Sequence, residues 1–150
     1  MDRSEYAGEL FVKGYNCAQS VAMAFADLMG MEEAAVSRLA SPFGGGISRL
    51  REVCGAISGM LMVYGTLYGY DTCNDDDRKH QVYQDGQALV EGFRSQIGTI
   101  LCREILDNPP SDPNPTPRTE AFYKERPCAR MVMTAAKLME DYIASHPLGM

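Results

Sequence analysis

No two of the five cysteines, Cys17, Cys54, Cys73, Cys102 and Cys128, stand in a Cys-x-x-Cys pair. A thioredoxin-like motif, a local zinc knuckle and a Cys-x-x-Cys-His haem attachment are thereby excluded. Histidine is scarce: His80 and His146 are the only two, neither with an evident partner. Positive charge is short as well, with 14 basic against 20 acidic residues and a net charge of −6. No Lys/Arg cluster offers a phosphate backbone its footprint, so nucleic acid is not an expected partner. The acidic turn at 71–77 lacks the loop glycine and terminal glutamate of an EF-hand and reads as a solvated connection. No useful stretch alternates with the period of a strand. Met1-Asp2-Arg3-Ser4-Glu5-Tyr6 is charged at once and leads into no apolar run of signal-peptide type, so a cytoplasmic location is expected. Thiols are kept reduced there, and an odd cysteine count fits a full disulfide framework poorly.

What is present describes one all-α domain over 1–150. The hydrophobic fraction of 45% and charged fraction of 23% are ordinary for a globular chain long enough to bury a core. Apolar residues recur at helical spacing over 16–29, 32–40, 50–68, 78–97, 99–106 and 127–145, a bundle of about six helices. Asn16 is placed to cap the first of these and Pro127 to open the last. Residues 53–70 carry no charge, with Arg49 and Arg51 before them and Asp75-Asp76-Asp77 after, and approach the roughly 18-residue length of a membrane span. Gly55, Gly59, Gly65, Gly69 and three tyrosines within the stretch, and the apolar stripes on its neighbours, favour a central buried helix and no membrane insertion. Residues 107–117 hold five of the eight prolines and read as an extended, exposed linker.

The chemistry on offer is sulfur. Cys17 follows the cap at Asn16, Cys128 follows Pro127, and Cys102 lies in the first turn of its helix. Unpaired N–H groups and the positive helix end favour thiolate at such places, and thiolate is the form that attacks disulfides and binds metals. Cys54 begins the stripe Cys54, Ile57, Leu61, Tyr64, Tyr68. The competing reading is four inert core thiols, since free cysteine behaves as a small buried hydrophobe. Cys73, among carboxylates that disfavour thiolate, is set aside as a surface residue. Gly55 and Gly59 cost about 1 kcal/mol each in a helix interior, offset by close approach of another helix or of a ligand. Gly44-Gly45-Gly46 is a flexible turn or a backbone cradle for an anion.

Gly14-Tyr15-Asn16-Cys17-Ala18-Gln19-Ser20, Phe43-Gly44-Gly45-Gly46, Cys54-Gly55-Ala56-Ile57-Ser58-Gly59, Cys102 and Cys128 together resemble the redox-active family named for its C_GCAxxG_C_C pattern. The resemblance spans nearly the whole chain. By position it makes Cys17, Cys54, Cys102 and Cys128 the characteristic four and leaves Cys73 outside. It implies a redox or cysteine-ligated role and supplies no substrate. Three functions stay open: thiol–disulfide exchange or electron transfer with an unidentified redox partner, the activity of a thiol–disulfide oxidoreductase; binding of a metal ion or iron–sulfur cluster by the four cysteines; or a structural or regulatory partner with inert cysteines. A homodimer is compatible with each. Under the first two, the four cysteines converge on one site, with Gly44, Gly45, Gly46, Gly55 and Gly59 as candidate ligand contacts and Cys73 apart.

Overall fold

The apolar spacing becomes nine helices among residues 2–149, which the computed structural model describes. These are α1 (Arg3–Lys13), α2 (Cys17–Met23), α3 (Ala26–Met29), α4 (Glu33–Ala40), α5 (Gly55–Tyr68), α6 (Asp76–Ile97), α7 (Cys102–Ile105), α8 (Glu120–Glu125) and α9 (Cys128–Ser145). A single 3-10 turn at Ser41–Phe43 follows α4. Among the described residues no strand forms, only an isolated antiparallel bridge between Val53 and Leu101. The all-α class stands, and the count of about six rises to nine for local reasons.

Helix α1 hides in a charged sequence because only Ala7, Leu10 and Phe11 are buried; the Asp2 side chain caps it by accepting from the Glu5 amide at 3.0 Å. The expected helix over 16–29 breaks at Phe25, whose φ of −116° and ψ of 9° leave helical geometry. Phe25 is fully buried, so its packing accompanies the break. Helix α8 lies past the proline-rich stretch, where Thr119 caps it by accepting from the Phe122 amide. The helix expected from residue 50 starts only at Gly55, because residues 51–54 run alongside 100–103 instead.

Helix α9 packs against α1, α2, α5 and α6, and α2 lies along α5. Val21, Ile57, Met60, Val63, Val132 and Met139 are sealed between them, each contributing about 1.5–3 kcal/mol by burial. Gly59 explains the tightness of the α2–α5 contact: a Cβ there would lie 2.6 Å from the Ala18 carbonyl oxygen. Helix α5 is thus the buried central element the sequence promised. No helix among the described residues is long and apolar enough to cross a membrane. At the C-terminal end of α5, Tyr64 and Tyr142 donate to Asp85 at 2.6 and 3.1 Å, and the Tyr142 ring stacks on His146 at 4.0 Å.

Candidate functional site: a cationic thiol pocket

The opposite end of α5 gathers the cysteines, each at the start of a helix. Cys17 opens α2 behind a reciprocal cap: Asn16 Oδ1 accepts from the Gln19 amide at 2.9 Å while Gln19 Oε1 accepts from the Asn16 amide at 3.0 Å. Cys128 opens α9, whose first turn has no side-chain cap. Cys54 is the residue preceding α5 and Cys102 the first of α7. The Cys54 amide donates to Ile100 O at 2.8 Å and the Cys102 amide to Glu52 O at 2.7 Å, which brings the two helix starts together across the Val53–Leu101 bridge. All four cysteines line one cavity of about 580 Å³. Cys54, Cys102 and Cys128 are buried and Cys17 half-buried, while Cys73 is exposed in its acidic turn, outside the cavity.

The glycine loop forms another wall, and it is strained. Gly45, Gly46, Ile47, Ser48 and Arg49 all have φ between 47° and 69°, and Arg51 follows at 63°. Left-handed backbone costs a side-chain-bearing residue about 1–2 kcal/mol, and Ile47 is β-branched. Hydrogen bonds from the Ser48 amide to Pro42 O (2.7 Å), Arg51 to Gly45 O (3.1 Å) and Glu52 to Gly46 O (2.9 Å) hold the turn. Glycine is required at 46 because a Cβ there would meet Cys102 Cβ at 2.7 Å and the Glu52 amide nitrogen at 2.8 Å. The loop's effect is to bring Arg49 and Arg51 to the cavity wall.

Residues 107–117 are largely exposed and non-helical, as expected, yet they are no free linker. Arg49 Nε donates to Asp112 O at 2.7 Å, Arg49 Nη1 to Thr116 Oγ1 at 2.9 Å, and Arg51 Nε to Pro110 O at 3.0 Å. The segment is a strap drawn along the cavity. Beyond it, Arg118 donates to the carbonyls of Phe11 (3.1 Å) and Tyr15 (3.0 Å) and lies 4.5 Å above the Phe11 ring.

Four arginines, Arg49, Arg51, Arg118 and Arg126, therefore line the cavity, and among the described residues no carboxylate does. Their field falls on sulfur. Cys128 is drawn below the ordinary thiol value to about 7, first by the neighbouring Cys17 thiol and then, against burial, by Arg126, Arg118 and Arg51. Cys17 is pushed well up because it serves as that proton donor and is shielded from water. Burial pushes Cys54 up to about 12, opposed by the Ala56 and Ile57 amides. Arg51 Nη1 donates to Cys102 Sγ at 3.6 Å. The cavity thus pairs a thiol whose ionisation is favoured, Cys128, with one whose ionisation is disfavoured, Cys17.

Of the glycine contacts expected from sequence, Gly44, Gly45, Gly46 and Gly55 line the cavity; Gly59 does not, its space being filled by α2. All five cysteines are free, and among the described residues no three of His, Cys, Asp and Glu are grouped closely enough to hold a metal ion. The arginines are what sequence reasoning missed. Arg49 and Arg51 look like charges flanking an apolar stretch, and Arg118 and Arg126 like surface residues. The available signal was local: Arg126 stands two residues before Cys128, and Arg49 and Arg51 stand three and five residues after the glycine run.

No curated protein and no solved structure was found to match the chain. A family model does match, over residues 15–142, the stretch that contains all four cavity cysteines and the glycine loop. The chain therefore belongs to the family described as "putative redox-active protein (C_GCAxxG_C_C)".

Proposed function

We propose that the protein is a thiol–disulfide exchange protein in which Cys128 is the nucleophile and Cys17 the resolving thiol. The observation that carries this reading is that Cys17 and Cys128 each open a helix on the wall of one cavity, and the Cys17 thiol and the arginines of that wall draw the Cys128 value down while that of Cys17 is pushed up. A thiol with a value near ambient pH combines thiolate fraction with nucleophilicity, the optimum for exchange. The Cys128 thiolate attacks one sulfur of a disulfide R–S–S–R′, forming the Cys128–S–S–R bond and expelling R′S⁻. With its acceptor consumed, Cys17 yields its proton to the expelled R′S⁻ and attacks Cys128 Sγ. The Cys17–Cys128 bond forms, RS⁻ leaves, and two electrons have passed from protein to substrate. A small or protein dithiol restores the reduced state by two reverse exchanges. Cys54 and Cys102, on the two segments joined at the Val53–Leu101 bridge, are two further thiols on the wall of the same cavity.

Mass spectrometry of protein treated with a small disulfide tests the scheme. Wild-type protein is expected to lose two hydrogens and yield a Cys17–Cys128 peptide. Cys17→Ser is expected to stop at the mixed disulfide on Cys128, and Cys128→Ser to form neither. Oxidation confined to the exposed Cys73 would defeat the scheme.

A further inference from the structure

The charge of the cavity is opposite to that of the protein. In a chain of net charge −6, four guanidinium groups line one cavity, and among the described residues no carboxylate shares it. Asp112 reaches this set from the strap, beside Arg49. Mutual repulsion is felt: Arg49 is held below its usual value by burial first and by the charges of Arg51 and Arg126 after it. Such an arrangement costs folding energy unless something negative completes it.

One atom identifies where. Arg51 is 4% exposed and lines the cavity. Its Nε is taken by Pro110 O and its Nη1 by Cys102 Sγ, while its Nη2 is buried with no hydrogen-bond partner among the described residues. A buried charged donor left unmet is destabilising, and a partner that enters the cavity relieves that cost. The thiolate of Cys128 offsets part of the cavity's charge but does not occupy that donor. A guanidinium suits the flat pair of oxygens of a carboxylate or another oxyanion. The volume, about 580 Å³, is far more than a lone inorganic ion needs and lies in the range of small-molecule sites.

We infer that the cavity recognises a small anionic disulfide, one oxyanion group of which is seated on Arg51 while its sulfur meets Cys128. The inference rests on the exchange reading and names its substrate class. Arg126 and Arg118 supply long-range attraction, and the Pro113–Thr116 part of the strap covers the bound molecule.

Two measurements, read separately, test the inference. In the first, reduced protein reacts with dithiobis(nitrobenzoate), a disulfide with two carboxylates, and with neutral dithiodipyridine. Each rate is divided by that of mercaptoethanol with the same reagent. A change in thiolate fraction cancels in the ratio between the two reagents, whereas recognition of charge does not. The dianion is expected to be favoured by at least ~10-fold at low salt. In the second, succinate and uncharged succinamide are titrated calorimetrically. Only succinate is expected to bind, and it should slow the dianionic reagent. Succinate binding should be lost and the dianion preference reduced in Arg51→Met, and both should fall severalfold in Arg126→Gln, a half-buried position that keeps the test alive if Arg51→Met does not fold. Equal relative rates for both disulfides, with no succinate binding, would overturn the inference and leave exchange standing. Succinate binding without any enhanced reaction at Cys128 would uphold the anion seat and remove the exchange reading beneath it.

Discussion

The two ends of α5 bury polar groups in opposite ways. At its C-terminal end, Asp85 accepts from Tyr64 and Tyr142 at 2.6 and 3.1 Å through one oxygen and from Gln81 at 2.8 Å through the other. Burial works against its charge, but these donors hold Asp85 below the usual carboxylate value, while burial first and the bond to Asp85 second push Tyr142 up to about 12. Every group there has its partner. At the N-terminal end the backbone is strained at 47–49 and 51, a guanidinium nitrogen is unmet, and four cations share a wall with the Cys128 sulfur. The first arrangement is finished by the chain itself and reads as a structural clasp. The second is finished only by something that binds, and strain kept at such a place is the usual mark of a working site.

The sharpest way to break that contrast is at Cys128. A thiol with a value of about 7 is roughly half ionised at neutral pH, against a few per cent for an ordinary cysteine. Iodoacetamide should therefore modify wild-type protein in a fast phase with a midpoint near pH 7, at least ~10 times faster than the exposed Cys73. Cys128→Ser should abolish the phase entirely. Persistence of a fast phase in that variant would move the nucleophile to another cysteine. Next in size is Arg126→Gln. Loss of one nearby cation should raise the Cys128 midpoint by roughly 0.5–1 unit and slow the reaction at neutral pH severalfold. An unchanged midpoint would mean that the cavity's charge does not reach the sulfur.

At the clasp, Tyr64→Phe should do the reverse: leave the alkylation profile untouched and cost ~1.5–3 kcal/mol in urea unfolding, the range for hydrogen bonds to charged groups. The sign of its pH dependence follows from Asp85. Its folded-state value lies below the unfolded one, so its stabilisation is complete above the unfolded value, about 3.9, and is lost as pH falls through the folded value. The gap between wild type and Tyr64→Phe should therefore narrow in acid. A gap that widened there would mean that the pair is not held by carboxylate charge.

Sequence disclosed these two ends unequally. The cysteine set was legible because a thiol behind Asn16, behind Pro127 or at the start of a short apolar helix announces its position by local rules. The helix class was legible for the same reason, from spacing along single elements. Cys54 was misplaced inside a helix because the alternative, pairing of 51–54 with 100–103, is a contact between distant segments with no local signature. The placing of Arg49 and Arg51 was hidden on the same ground, although their nearness to the glycine run was visible: it depends on a left-handed run at 45–49, where Ile47, Ser48 and Arg49 are residues no propensity rule would put at positive φ. The strap is a mixed case. Its prolines ruled out a helix, but its attachment to Arg49 and Arg51 is tertiary.

The smallest predicted effect probes the strain directly. Ile47 has a φ of 64° and is 39% exposed, so its side chain gains little from burial while its backbone sits where a Cβ clashes with the following carbonyl. Ile47→Gly removes about 1–2 kcal/mol of that cost and adds about 0.5–1 kcal/mol of unfolded-chain entropy. The net is a stabilisation of roughly 0.5–1 kcal/mol, on the order of 2 °C in Tm for a chain of this length. The matched substitution at an exposed, relaxed helical position, Ala88→Gly in α6, should destabilise by ~1 kcal/mol. Opposite signs for the same change to glycine would locate the strain in the loop. A freer loop also fixes Arg49 and Arg51 less firmly, so the stabilised variant should lose part of the Cys128 fast phase. Gain of stability with undiminished reactivity would show that the left-handed turn is not what holds the arginines to the thiols.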